Sequence, residues 1–260
     1  MPTLRQCSAP KMPSPAPVSP LVGILGGMGP AATVDFYSKL VQATPASEDQ
    51  DHLRVVIWAD PSVPSRQRAL LSGGDDPTPW LVEGVEHLMR CGAQILVSPC
   101  NTAHAYLPAV VNGRDIDFIS IIDAAVDAAR KVNGPGPVGL LATDGALSAN
   151  LFQTALQQAG KQHVLPSASS QRSLMEVVGA VKAGVPAGQE QQILRTVVAE
   201  LRDAGASTVI AGCTEISVLL ADLDVDMHVI DPSHELALVT VQRARAVPQR
   251  LHRHQIGEPV

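Results

Sequence analysis

The chain repeats itself once, and this constrains its fold more than any other feature. VGILGG at 22–27 returns as VGLLAT at 138–143. CGAQILVSPC at 91–100 returns as AGASTVIAGC at 204–213, and SIID at 120–123 returns as HVID at 228–231. The three landmarks keep their order and are displaced by roughly 110 residues, far beyond the 20–50 residues of a solenoid unit. The repeat therefore predicts two homologous lobes, each large enough to hold a core of its own.

Within each copy, short apolar runs alternate with helical patterns. Leu21–Leu25, Val55–Trp58, Ile95–Val97, Phe118–Ile122, Val138–Leu141, Val209–Ala211 and His228–Ile230 read as buried strands. Trp80–Cys91 carries Leu81, Val82, Val85, Leu88 and Met89 on one helical face and stops at Gly92. Glu190–Ala204 does the same with Ile193, Leu194, Val197, Val198 and Leu201 before Gly205. Strand–helix alternation predicts an α/β fold of two pseudo-twofold-related lobes, each a parallel sheet flanked by helices. Such a pair sets equivalent strand ends across a cleft, outside the carboxyl ends of the strands, where ligands bind in this architecture. The expected organisation is lobe 1 over 21–121 plus 230–246 and lobe 2 over 122–229.

Residues 1–20 hold six prolines and read as a disordered tail. Arg5 and Lys11 suggest the start of a signal peptide, but no apolar h-region follows them. Residues 247–260 read as a flexible tail, in which His252 and His254 lack neighbours to complete a metal shell. Aromatic residues are 3% of the chain, so Ala, Val, Leu and Ile must fill the core. With 19 basic and 25 acidic residues and no basic block, nucleic acid is not an expected partner. No apolar run approaches the ~20 residues of a membrane span. Four cysteines form no secreted disulfide framework, which favours a reducing, cytoplasmic setting.

Two of those cysteines stand apart. Cys100 in PCNTAH and Cys213 in GCTEI each follow a buried strand at the same place in the repeat, with polar residues after them. A helix beginning there would lower the thiol pKa. Two equivalent thiols across a cleft suit a two-base reaction, in which one thiolate removes a proton from carbon and the other thiol returns one on the opposite face. Metal binding is the rival use, but no CxxC or HxxxH spacing supports it. Cys7 and Cys91 read as small core hydrophobes.

GILGGMGPAAT at 23–33 follows a strand and precedes a helix with Pro30 in its first turn. Gly27–Ala32 formally fits the dinucleotide fingerprint, whose acid would fall among Glu48, Asp49 and Asp51. The alternative is that the turn offers backbone N–H groups to a small carboxylate. Arg66 and Lys182 are cations in apolar or small-residue settings, open to a solvated reading or a ligand-binding one. His104 either polarises Cys100 or caps a helix, and Glu215 is open to the same two readings beside Cys213.

GGMGP, PCNTAH and GCTEI, in this order and spacing, resemble the aspartate/glutamate racemase superfamily, in particular its aspartate racemase branch. The likeness covers residues 21–246. It implies a cofactor-independent, homodimeric amino-acid racemase acting on an acidic amino acid, with Cys100 and Cys213 as the proton-transfer pair. It implies that Asn101, Thr102 and Thr214 hold the substrate's α-carboxylate and that Met28 lines the pocket. Arg66 and Lys182 are then the binders of the side-chain carboxylate. In ATDGALSANLF at 142–152, Thr143 matches the family's Thr-x-Gly-Thr start, but Ala146 and Phe152 stand where the family has hydroxyls. That departure predicts fewer hydrogen bonds from the second lobe and bears on substrate choice. Rival readings are a maleate isomerase or decarboxylase on small diacids, a non-catalytic two-lobed binding protein, and a dinucleotide oxidoreductase.

Overall fold

The structure, a computed structural model, describes residues 19–246 except 133, 135, 185–187 and 222. The proline-rich tail, Cys7, and the His252 and His254 pair lie outside the described residues.

The first copy of the repeat runs β1 (Val22–Gly26), α1 (Pro30–Ala43), β2 (Val55–Ala59), α2 (Arg66–Leu71), α3 (Thr78–Arg90), β3 (Ile95–Val97), α4 (Leu107–Val111), β4 (Asp117–Ile119) and α5 (Ile121–Lys131). The second runs β5 (Val138–Ala142), α6 (Asp144–Ser148), α7 (Leu151–Gln158), β6 (His163–Val164), α8 (Ala168–Lys182), α9 (Gln189–Asp203), β7 (Thr208–Gly212), α10 (Thr214–Ala221), β8 (His228–Ile230) and α11 (Pro232–Ala246). The strands form two four-stranded sheets, ordered β2-β1-β3-β4 and β6-β5-β7-β8, with every pairing parallel. The α/β, two-lobed architecture expected from the repeat is what the chain forms.

The reason lies in the strands. β1, β5 and β7 are buried along their whole length, so each reads as an unbroken apolar run needing cover on both faces. The interior is aliphatic, with Phe36 and Phe152 the aromatic side chains among the largest fully buried ones. The last helix, α11, packs against α1 and α5. Lys39 on α1 fixes part of that return by bonding Asp35 at 2.6 Å and Asp231, just before α11, at 2.7 Å.

Three expectations need correction. The apolar run Phe118–Ile122 is a strand only to Ile119. Ser120 caps the next helix by accepting from the Asp123 N–H, so Ile121 and Ile122 face the core from α5. β6 escaped notice because two residues carry no periodicity. Cys91 is exposed, at the C-cap of α3 beyond the last residue that the apolar face uses.

In both sheets the strand order reverses between the first and third strands, β1/β3 and β5/β7. The loops leaving these strands diverge there and open a crevice at the carboxyl ends. The glycine turn follows β1, Cys100 follows β3, Thr143 follows β5 and Cys213 follows β7. The topology thus brings all four to one place.

Candidate active site

The two crevices face one another and share a cleft with about 420 Å³ of empty space, its open mouth included. Met28, Arg66, Cys100, Asn101 and Thr102 line it from the first lobe. Thr143, Lys182, Cys213, Thr214 and Glu215 line it from the second. Ser65, Gln67 and Gly212 also line the cleft and were missed in the sequence. Their one visible signal was adjacency to Arg66 and Cys213.

The turn after β1 needs its glycines. Gly27 has φ 86°, and a Cβ there would lie 2.2 Å from the Asp60 backbone nitrogen. The Gly27 N–H donates to Thr33 Oγ1 at 2.9 Å, so this donor is already used inside the protein. Glu48, Asp49 and Asp51 precede β2 and lie at the opposite end of the parallel sheet from the turn. The dinucleotide reading therefore loses its ribose-binding acid.

Arg66 lines the cleft and also braces the backbone around it. Its Nη1 donates to the carbonyls of Val63 and Pro64 at 2.9 Å each, and its Nη2 donates to the Met28 carbonyl at 3.2 Å. It thereby ties the glycine turn to the start of α2. Its Nε is buried and has no hydrogen-bond partner among the described residues. Lys182, at the end of α8, is half-exposed and lies 3.8 Å from Glu215 Oε1.

The lobes touch across the cleft floor. Thr102 and Thr143 share a hydroxyl–hydroxyl hydrogen bond of 3.0 Å, and Thr143 also caps α6 by accepting from the Ala146 N–H at 3.3 Å. The buried Asn101 Oδ1 has no hydrogen-bond partner among the described residues. Ala146 and Phe152 do not line the cleft. Both are fully buried in the core, the Phe152 ring beneath β7, where a Cβ on Gly212 would meet its Cε2 at 2.7 Å. The segment meets the cleft through Thr143 alone, in keeping with the expectation of few hydrogen bonds from this part of the second lobe.

The two thiols differ sharply in surroundings. Cys213 is buried, and its Sγ–H donates to Glu215 Oε2 at 2.9 Å, an oxygen that also accepts from Thr214 Oγ1 at 3.1 Å. Burial first, and then the Glu215 charge, push this thiol well above the ordinary cysteine range, while Lys182 opposes them. The expectation of a lowered pKa from the following helix fails at Cys213 for that reason. Cys100 is only partly buried, and no carboxylate among the described residues bonds its sulfur.

His104 does not polarise the Cys100 thiol. The Ile121 N–H donates to its Nε2 at 3.1 Å, so Nδ1 carries the proton and donates to the Cys100 carbonyl at 2.9 Å. Burial lowers its pKa to about 4, so the ring is a neutral bracket between the Cys100 turn and α5.

The Asp/Glu/hydantoin racemase family profile matches residues 25–240. The chain belongs to that family. It is 24% identical over 226 residues to the broad specificity amino-acid racemase RacX of Bacillus subtilis, covering 85% of this chain and 96% of RacX. Its fold matches Picrophilus torridus aspartate racemase with a TM-score of 0.78 at 29% identity, over 87% of this chain and 94% of that one. Glutamate racemase RacE1 of Bacillus anthracis shares the fold alone, with a TM-score of 0.64 at 21% identity over 88% and 83% of the two chains. Among the described residues, no helix is long and apolar enough to cross a membrane, and no three His, Cys, Asp or Glu side chains cluster as a metal would need.

Proposed function

We propose that the protein inverts the α-carbon of an acidic amino acid, aspartate foremost, by a cofactor-independent two-thiol proton transfer. One observation carries this reading. Cys100 and Cys213 leave equivalent strands of the two lobes and line a single cleft.

The chemistry follows from that placement. The thiolate of one cysteine takes the α-proton and becomes a thiol. The opposite thiol gives its proton to the other face of the carbon and becomes a thiolate, so nothing is oxidised or reduced. The intermediate is an enediolate-like dianion, and the groups around the α-carboxylate must stabilise it before it is reprotonated. Asn101, Thr102 and Thr214, at the starts of the elements after β3 and β7, supply hydrogen bonds there. Donors fixed in a closed cleft need no reorganisation as charge develops. Contact between the lobes at Thr102 and Thr143 helps exclude water from the reacting carbon.

The charges lining the cleft favour an acidic substrate. Arg66 and Lys182 put two cations in the cleft, one from each lobe, against the single carboxylate of Glu215. A substrate with a second carboxylate can use a cation that a neutral amino acid leaves unpaired. Likeness to both a broad-specificity racemase and an aspartate racemase supports testing a panel of acidic and neutral amino acids.

The test is incorporation of deuterium at Cα from D₂O together with chiral chromatography, without added cofactor. Wild type is expected to label and racemise an acidic amino acid. Cys100→Ala and Cys213→Ala should each abolish racemisation, while Cys91→Ala, on the exposed end of α3, should leave it intact. Near-wild-type racemisation by either of the first two variants would overturn the mechanism.

A further inference from the structure

We infer that Glu215 is a proton relay between the buried Cys213 and solvent, and that the enzyme resets its two thiols through it between turnovers. This rests on the two-thiol reading above. The backbone repeat makes the cysteines equivalent, but their exits to water differ. Cys100 reaches the cleft directly as a partly exposed side chain. Cys213 is 6% exposed and its thiol proton points at Glu215 Oε2, 2.9 Å away.

The other carboxylate oxygen lies on the Lys182 side, in a side chain that keeps 11% of its surface exposed. Glu215 Oε1 is 3.8 Å from the half-exposed Lys182 Nζ, and Gly29 offers no side chain to cover it: a Cβ there would sit 3.3 Å from Oε1. One carboxylate therefore has an oxygen on the buried thiol and an oxygen beside the half-exposed ammonium.

Each turnover needs such a route. An enzyme that starts as Cys100 thiolate and Cys213 thiol ends with the protons exchanged. To return without running the reaction backwards, Cys100 must lose its proton to water and Cys213 thiolate must gain one. A solvent acid protonates Glu215, and Glu215 passes a proton from Oε2 to Cys213 Sγ, restoring thiol and carboxylate. No electrons move. The charged and titratable groups sharing the cleft with Cys213 are Glu215 on α10, Lys182 on α8, and Cys100 and Arg66 from the first lobe. Of these, Glu215 raises the thiol pKa and Lys182 lowers it, so the resting protein holds Cys213 as the proton donor.

Two measurements on the full chain test this, using Glu215→Gln and Glu215→Asp. The first is iodoacetamide alkylation of Cys213 against pH, resolved by peptide mass, which requires no turnover. In Glu215→Gln the midpoint should fall by about one pH unit or more, a tenfold change in the thiol–thiolate ratio. The second is racemisation at saturating substrate with a labelled trace of the opposite enantiomer. With reset slowed, the net rate at saturation should fall about tenfold, kcat/KM should fall much less, and the tracer should be driven transiently away from equilibrium. Glu215→Asp, which keeps a carboxylate, should recover part of the net rate. A merely structural role would lower kcat/KM and kcat together and would not drive the tracer. Wild-type failure to label any amino acid defeats the functional reading and the relay with it. Retained racemisation, with an unmoved midpoint and no tracer drive in Glu215→Gln, overturns the relay alone.

Discussion

Acid should unfold this protein through His104 before it touches most carboxylates. The ring is buried, neutral, and bonded at both nitrogens, to the Cys100 carbonyl and the Ile121 N–H. Its pKa falls from 6.5 to about 4 on folding because burial disfavours the charged ring. Between those values the unfolded chain takes up a proton that the folded one refuses. Stability is therefore full above pH 6.5, is lost as pH falls, and is gone from this group below about pH 4. The linked free energy over that window is roughly 3 kcal/mol, of which about 2 kcal/mol is lost between pH 7 and pH 5. The assay is urea unfolding at pH 7, 6 and 5 for wild type and His104→Gln. The glutamine keeps an acceptor for Ile121 but does not titrate. It should be less stable at pH 7, yet its stability should decline less steeply toward pH 5 by about 2 kcal/mol. Carboxylates common to both proteins cancel in that comparison. Parallel pH curves for the two proteins would refute the argument and place the acid sensitivity elsewhere.

Gly212→Ala puts a methyl group 2.7 Å from Phe152 Cε2, directly beneath Cys213, and overpacking of that kind costs about 1–3 kcal/mol. Tm should fall by several degrees and racemase activity should drop, and Phe152→Leu in the same chain should restore part of both; a double mutant no better than Gly212→Ala would show that the ring is not the obstacle. Lys182→Met removes one positive charge from the cleft and should lower kcat/KM for aspartate by about 10- to 150-fold, as loss of a charge-assisted contact does, with a smaller loss for alanine. A variant that ranks aspartate, glutamate, asparagine and alanine as wild type does would show that Lys182 does not set specificity.

Much of the architecture was legible because parallel strands announce themselves as apolar runs. Seven of the eight strands among the described residues appear in the sequence as such runs, although only the inner β1, β3, β5 and β7 are buried throughout while β2, β4 and β8 are partly exposed. The errors have local causes. The Phe118–Ile122 run crosses from a strand into a helix with no change of hydrophobicity, and only Ser120 with Asp123 three residues on marks the boundary. Cys91 has the composition of a core residue but falls one position past the end of the helix. Ala146 and Phe152 stand out in the sequence as departures from a hydroxyl-bearing motif, and the structure buries both in the core.

What the repeat could not carry was the state of the thiols. It fixes where the backbone leaves β3 and β7, so it fixes that both sulfurs reach one cleft. Protonation depends instead on the two or four residues that follow, and there the copies diverge. After Cys100 the chain continues Asn-Thr-Ala-His, and the histidine four residues on bonds the cysteine carbonyl rather than its sulfur. After Cys213 it continues Thr-Glu, and the glutamate two residues on bonds the sulfur itself. A shared fold position thus yields one partly exposed thiol and one held as a donor beside a carboxylate. In the proposed two-thiol reaction, symmetric placement gives access to both faces of a carbon, the unlike neighbours decide which sulfur begins with the proton, and that difference is needed before substrate arrives.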